Sequence, residues 1–310
     1  MDLETRPDPP NVFEARYRAF LETIASLRPS LHRYCSRMTG SALDGEDVVQ
    51  EALFQAYRML DRFDDSRPLS PWLFRIAHNR CIDFLRGREV RREADAASAE
   101  GALDRVPPAE PPGAELGRAV EHLVLSLPPK ERACVLLKDV FDYSLEEIAE
   151  MVDSTVGGVK AALNRGRSKL PASPEPGAAR RVDDAEDPDL ARILHLYVER
   201  FNRRDWDGLR ELISDDARLR VGDRFAGRLS DSSYFGNYQR LPGTWRLMTG
   251  EVDGEPVVIV LYRNAAGVEH ETPVRLEVIE GRIARIVDYL HCPWVLGMAG
   301  RVKVERALPN

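Results

Sequence analysis

The chain has 310 residues, 43% of them hydrophobic, and a formal net charge of -7. That length suits two or three domains, and the acidic balance excludes a uniformly basic coat, so any nucleic-acid binding must come from local patches. No run of 18 apolar residues and no basic, apolar leader like that of a signal peptide is present, and Cys35, Cys81, Cys134 and Cys292 form no CxxC pair, which points to reduced thiols in a cytoplasmic protein without cofactor or metal.

Two stretches rich in Pro, Ala and acid read as linkers, 94–114 and 171–188. They divide the chain into 11–93, 115–170 and 189–310. In the first block, the apolar positions of "DVVQEALFQAYRML" recur at helical spacing. Asp44, Glu46 and Asp47 lie at the start of that helix, where its dipole favours carboxylates. A polar loop follows. "PWLFRIAHNRCIDFLRGREVRR" then reads as a long helix with Pro71 in its first turn. Its positions Arg75, His78, Asn79, Asp83 and Arg86 share one face, and Trp72 and Phe74 fit core packing better than stacking on bases.

In the second block, "LPPKERACVLLKDVF" predicts a helix opened by Pro128 and Pro129. The next helix starts at an S-x-x-E capping box, Ser144 and Glu147. A second helix begins at Thr155. On its wheel Val156, Val159, Leu163, Gly166 and Leu170 face a core. Gly157, Ala161, Asn164, Arg165 and Ser168 face outward, flanked by Lys160, Arg167 and Lys169. Small residues let a backbone approach a groove, cations meet phosphates, and Asn and Arg can read base edges. An ordinary helical hairpin with a solvated basic face fits the same pattern.

The third block changes character. An amphipathic helix over 188–205 and "WDGLRELI" precede alternating runs at 217–228, 244–250, 256–264 and 272–290. Turn signals such as Asp253-Gly254 and Glu280-Gly281 separate them. This predicts an α+β domain with one curved antiparallel sheet. The tail, with Arg301, Lys303 and Arg306, lies beyond the expected end of that sheet. It reads as a frayed terminus or as a segment docked on this chain's own acidic linker or on the helix that opens with Asp44, Glu46 and Asp47.

"DGEDVVQEALFQAYRMLDRFD" with "PWLFRIAHNRCIDFLR" resembles region 2 of the extracytoplasmic-function class of bacterial sigma factors. "LPPKERACVLLKDVFDYSLEEIAEMVDSTVGGVKAALNRGRSKL" resembles their region 4. The resemblance implies a multidomain protein: two all-α sigma domains, a region 2 helical bundle and a region 4 helix-turn-helix. It implies core RNA polymerase (its β′ clamp helices and β flap) and promoter DNA as partners. Asp44, Glu46, Asp47, Gln50 and Glu51 would dock on the clamp helices. Arg62, Asp64, Ser66 and Arg67 would capture a base flipped from the -10 element. Asn79, Arg80, Asp83 and Arg86 would follow the melted strand. Thr155, Lys160, Asn164, Arg165, Arg167 and Lys169 would lie at the -35 element.

"LHLYVERFNRRDWDGLRELISDDARLRV" resembles the start of SnoaL-like domains, which have the NTF2-like cone fold. Sigma factors with such a domain form a known subgroup, and the resemblance implies regulation in cis through intramolecular contact with the sigma domains. Tyr238, Trp245, Asp288, Tyr289 and His291 are the candidate lining of its pocket, with a small-molecule ligand or acid-base chemistry as further options. A stand-alone helix-turn-helix regulator and an enzyme fused to a DNA-binding module are the competing readings of the whole chain. The first leaves the acidic helix start and residues 62–92 without a purpose.

Overall fold

The computed structural model describes residues 12–64, 66–98, 124–170, 188–222, 224–240, 244–264 and 266–304. The chain divides into two units. One comprises Met1–Thr39, Asp47–Glu110 and Leu123–Pro174, and the other Gly40–Glu46, Pro111–His122 and Glu175–Asn310.

The first unit is helical. Helix α1 (Val12–Thr39) ends at Gly40, whose φ of 88° is the left-handed conformation that closes helices. Helix α2 (Ala42–Met59), whose residues up to Glu46 belong to the second unit, starts on a Ser41 hydroxyl that accepts from the Asp44 amide at 3.2 Å. Helix α3 (Leu69–Ser98) has Pro71 in its first turn as anticipated, and it continues to Ser98, into the stretch read as linker. The rest of the first linker and residues 171–187 of the second lie outside the described residues, and Pro188 opens the next helix.

Helices α4 (Pro129–Val135), α5 (Leu145–Met151) and α6 (Val156–Lys169) follow, with a π-helical turn at Leu136–Val140. The capping box is formed: Ser144 accepts from the Glu147 amide, and the Glu147 carboxyl accepts from the Ser144 amide at 2.8 Å. Gly166 sits where α6 meets α4. A Cβ there would come within 2.8 Å of a Val135 methyl, so a larger residue would require Val135 to shift. One apolar cluster runs through the whole unit, from Tyr34, Leu73 and Phe74 to Cys134, Leu136, Ile148 and Val159. Buried Arg132 donates to the carbonyls of Met38, Leu125 and Leu127 and ties α4 to α1.

The second unit carries a seven-stranded sheet in the order β2-β1-β6-β5-β4-β3-β7. Its strands are β1 (Ile213–Val221), β2 (Phe225–Arg228), β3 (Thr244–Val252), β4 (Glu255–Arg263), β5 (Glu269–Ile279), β6 (Arg282–Asp288) and β7 (Val302–Val304). Helices α7 (Pro188–Asn202), α8 (Trp206–Glu211) and α9 (Tyr234–Arg240) bury their apolar sides in one cluster with the inner faces of the strands. This is the helix-plus-sheet layout anticipated for the third block.

Two expectations are corrected. The sheet is mixed, because β1 runs parallel to β6 while every other pairing is antiparallel. The chain order puts β1 before the β3–β6 meander, so β1 returns to its far edge without a hairpin. The tail is not frayed over Val302–Val304. It forms β7 against β3, with Lys303 paired to Glu251 at 3.3 Å. Arg306 lies outside the described residues. A second cluster packs on the outer face of the sheet, joining Val252, Val257, Ile259, Val287 and Tyr289 to α10 (Trp294–Met298) and to Ala42 and Leu43.

Candidate nucleic-acid interface

The outward face of α6 is built as its wheel predicts. Val159, Ala162, Leu163 and Gly166 are buried, and Lys160, Ala161, Asn164, Arg165, Arg167, Ser168 and Lys169 are exposed. Thr155 caps the helix, its hydroxyl accepting from the Gly158 amide at 3.1 Å. Lys160, Leu163, Asn164 and Arg167, with Lys138 and Leu145, line an open groove of about 310 Å³.

Arg165, Arg167 and Lys169 of this face are held by carboxylates that the periodicity could not reveal. Glu131 on α4 accepts from Arg165 Nε at 2.9 Å and from Lys169 Nζ at 2.7 Å. Hydrogen bonds from Lys169 and then Arg165 keep its carboxyl below the usual range. Asp139 takes both Nε and a terminal nitrogen of Arg167, which raises the guanidinium pKa further. Lys160 makes no ion pair among the described residues. The two-point grip of Asp139 on Arg167 fixes the direction of its guanidinium fork.

In the loop before α3, Asp64 accepts from the Ser66 amide at 3.0 Å and hydroxyl at 2.8 Å, a local turn that also lowers its pKa. Arg62, Asp64, Ser66 and Arg67 are all exposed, and Arg67 is ion-paired with Glu150 of α5. Asn79, Asp83 and Arg86 are exposed along α3. Arg80 turns to Gln55, donating from Nε at 2.7 Å.

His78 does not join that face. It is buried, with Nδ1 2.9 Å from the Tyr34 hydroxyl, and burial followed by the charge of Lys130 lowers its pKa to about 4. Its position three residues after Arg75 places it on the rim of the polar face, and the packing of α1 against α3 takes it into the core. Phe74 is fully buried, and Trp72 packs on Phe63 with ring centroids 4.8 Å apart. Core packing is therefore the observed role of both aromatics. Arg75 pairs with Asp153 in the helix-turn-helix at 3.0 Å.

The acidic start of α2 is drawn inward. In the second unit, Asp44 Oδ1 accepts from Arg275 at 2.8 Å. Arg275 is 9% exposed and also reaches Glu255 at 2.5 Å. Glu46 has no exposed surface, and it accepts from Trp294 Nε1 at 2.8 Å and lies 3.6 Å from Cys292 Sγ. Asp47 and Gln50 are half-buried and Glu51 is exposed.

The five candidate pocket residues divide. Asp288 lies at the centre of the helix-covered side of the sheet. Its carboxyl accepts from Tyr238 at 2.6 Å, Tyr234 at 2.9 Å and the Leu290 amide at 2.8 Å. Burial raises its pKa against the pull of those donors, and burial likewise raises the phenols of Tyr197, Tyr234 and Tyr238. Trp245 joins this group through Nε1 to the Tyr238 carbonyl at 3.0 Å, with Arg204 over its ring. Tyr289 goes to the outer cluster, because successive residues of an extended chain point to opposite faces. His291 is half-buried beyond the strand. Tyr234 escapes the sequence reading, although its i,i+4 spacing from Tyr238 is the signal that could have found it. The interior around Asp288 is filled by rings: Phe201 packs edge-on to Tyr238 at 5.0 Å and to Trp245 at 5.1 Å.

The family model for Sigma-70 region 2 matches residues 23–91, and that for Sigma-70, region 4 matches residues 117–170. ECF RNA polymerase sigma factor SigG of Mycobacterium tuberculosis is 29% identical over 305 residues, covering 85% of this chain and 79% of SigG. ECF RNA polymerase sigma factor SigW of Bacillus subtilis is 35% identical over 162 residues, covering 49% of this chain and 87% of SigW. Among solved structures, the extracytoplasmic function sigma factor SigJ of Mycobacterium tuberculosis aligns with 86% of this chain and 95% of its own at 20% identity and a TM-score of 0.33.

Proposed function

Because the chain belongs to the ECF RNA polymerase sigma factors, which direct core polymerase to promoters, we propose that its own second unit controls when it does so. The reading is that Asp44, Glu46, Asp47, Gln50 and Glu51 form the polymerase-docking edge of α2, and that the β-sheet unit withdraws the first two from use.

The observation that carries this is the state of Glu46. A carboxylate at a helix start is normally solvated, where it interacts favourably with the dipole at no desolvation cost. Here Glu46 is buried under the indole of Trp294, and Asp44 is held by Arg275. Neither carboxyl can meet a polymerase cation while those bonds stand. Regulation then amounts to exchange of one set of partners for another. The outward face of α6 and the exposed edge of α3 supply the -35 and -10 contacts in the same reading.

The test is a full-length Arg275→Ala, Trp294→Ala variant against wild type, with purified core polymerase and a cognate promoter. Tighter binding to core and several-fold more initiation are expected. Equal or weaker binding in a variant that still folds removes the withdrawal mechanism, while leaving promoter-dependent initiation itself intact.

A further inference from the structure

A row of arginines crosses the outer face of the sheet at its β2 edge. Arg228 is the register partner of Arg218, and Arg218 is the register partner of Arg285, on three adjacent strands. Partners in register share a face. On β1 the neighbours Ala217 and Leu219 are buried in the inner cluster, so Arg218 points away from it. The next position in the row is Glu277, which accepts from Arg285 at 3.1 Å. Arg218 and Arg228 are exposed and form no ion pair with any described residue, and exposed Arg224 and Arg282 flank the row in the same condition.

Like charges directly opposite each other destabilise a sheet. Two consecutive Arg–Arg pairs with one carboxylate between the three are therefore an arrangement the fold does not need. An edge strand is protected from aggregation by a single charge. Adjacent strands lie about 4.8 Å apart, so the row spans about 10 Å. Duplex DNA presents one charge per about 1.7 Å of axis, or roughly six over that length. A repeating polyanion thus satisfies all three forks at once, and guanidinium meets phosphate oxygens in bidentate geometry.

We infer that Arg228, Arg218 and Arg285 form a phosphate-binding face that holds duplex DNA outside the segments read by the sigma domains. The grip is on the DNA backbone, so it adds affinity without base preference. It rests on promoter binding by the family to which the chain belongs, and it adds a third point of attachment to DNA, made by the sheet domain.

The experiment uses the full chain in holoenzyme on a linear promoter fragment that extends upstream of the -35 element, with affinity measured across a salt series. An Arg218→Gln, Arg228→Gln variant should bind about tenfold more weakly at low salt. Its log–log salt slope should fall by roughly two, since each phosphate that an arginine neutralises accounts for about 0.9 of the slope. The preference for cognate over scrambled -35 and -10 sequences should be unchanged, and Arg218→Lys, Arg228→Lys should retain most of the slope. Arg263→Gln, which removes an exposed arginine paired with Glu269 elsewhere on the sheet, should leave the slope unaltered. Where the double variant fails to fold, Arg228→Gln alone should lower the slope by about one. Unchanged affinity and slope overturn the proposal. A loss of core-polymerase affinity with an unchanged DNA slope also overturns it, in favour of an acidic protein partner. If promoter binding is absent in wild type, the sigma reading fails instead, and that outcome is visible before any variant is made.

Discussion

Glu131 on α4 holds Arg165 and Lys169 of α6 at 2.9 and 2.7 Å, so one carboxylate fixes two cations of the face proposed to meet the -35 element. A cation that is already paired must give up or share its carboxylate to reach a phosphate. Glu131→Gln keeps the shape and removes the charge. Affinity of the holoenzyme for DNA of any sequence is expected to rise about three- to tenfold at low salt, with a steeper salt dependence, because counterion release increases with each freed cation. Discrimination at the -35 element should fall, since Arg165 loses its fixed direction. Competition binding with cognate and scrambled fragments reads both effects, and unchanged discrimination would remove the orienting role.

The first unit is held by its shared core far more than by its exposed ion pairs. Phe74 is fully buried and packs with Tyr34, Phe141 and Tyr143 at centroid distances of 5.3 to 5.9 Å. Truncation to alanine is expected to cost about 3–5 kcal/mol through lost transfer energy and the cavity left behind. Glu150→Ala, which frees Arg67, should cost less than about 1 kcal/mol because both side chains are exposed. Urea denaturation of the two variants gives the comparison, and similar costs would contradict it.

His78 sets an acid limit on stability. It is neutral in the fold, with a pKa of about 4, against about 6.5 for an unfolded histidine. Between those values the unfolded chain binds the proton and the folded chain does not. Stability is therefore fully present above pH 6.5 and declines as pH falls toward 4, by about 3 kcal/mol in total from this group. Melting followed at steps between pH 7 and 4.5 should show the loss, and His78→Phe should flatten it. A variant that tracks wild type would show that another group is responsible.

Asp288 titrates in the opposite sense. Its folded pKa is raised by burial, so the folded state keeps its proton at pH values where the unfolded chain has released it. The contribution is greatest below the ordinary carboxylate range and is lost as pH rises through the raised value. Asp288→Asn presents an amide to three donors, Tyr234, Tyr238 and the Leu290 amide. A cost of about 1–3 kcal/mol is expected from the unmatched donors. Because asparagine does not titrate, the gap between variant and wild type should narrow with rising pH. A gap that widens would mean that the carboxylate form is the one the tyrosines stabilise.

What the sequence determined by itself is whatever depends on neighbours within a few residues. The 3.6-residue period of α6, the Ser144–Glu147 box and the alternation of β3 to β6 all arise from interactions within one or two turns or along one strand. Those were legible, and so were the two sigma segments, whose residues lie in continuous stretches. What tertiary structure decided are the pairings between distant parts of the chain. The return of β1 to run parallel with β6, the burial of His78 against Tyr34 and the capture of Arg167 by Asp139 leave no periodic trace. Asp44 and Arg275 are 231 positions apart. A charge reads the same in a sequence whether it is solvated or paired, and only folding brings the partner close enough to decide which.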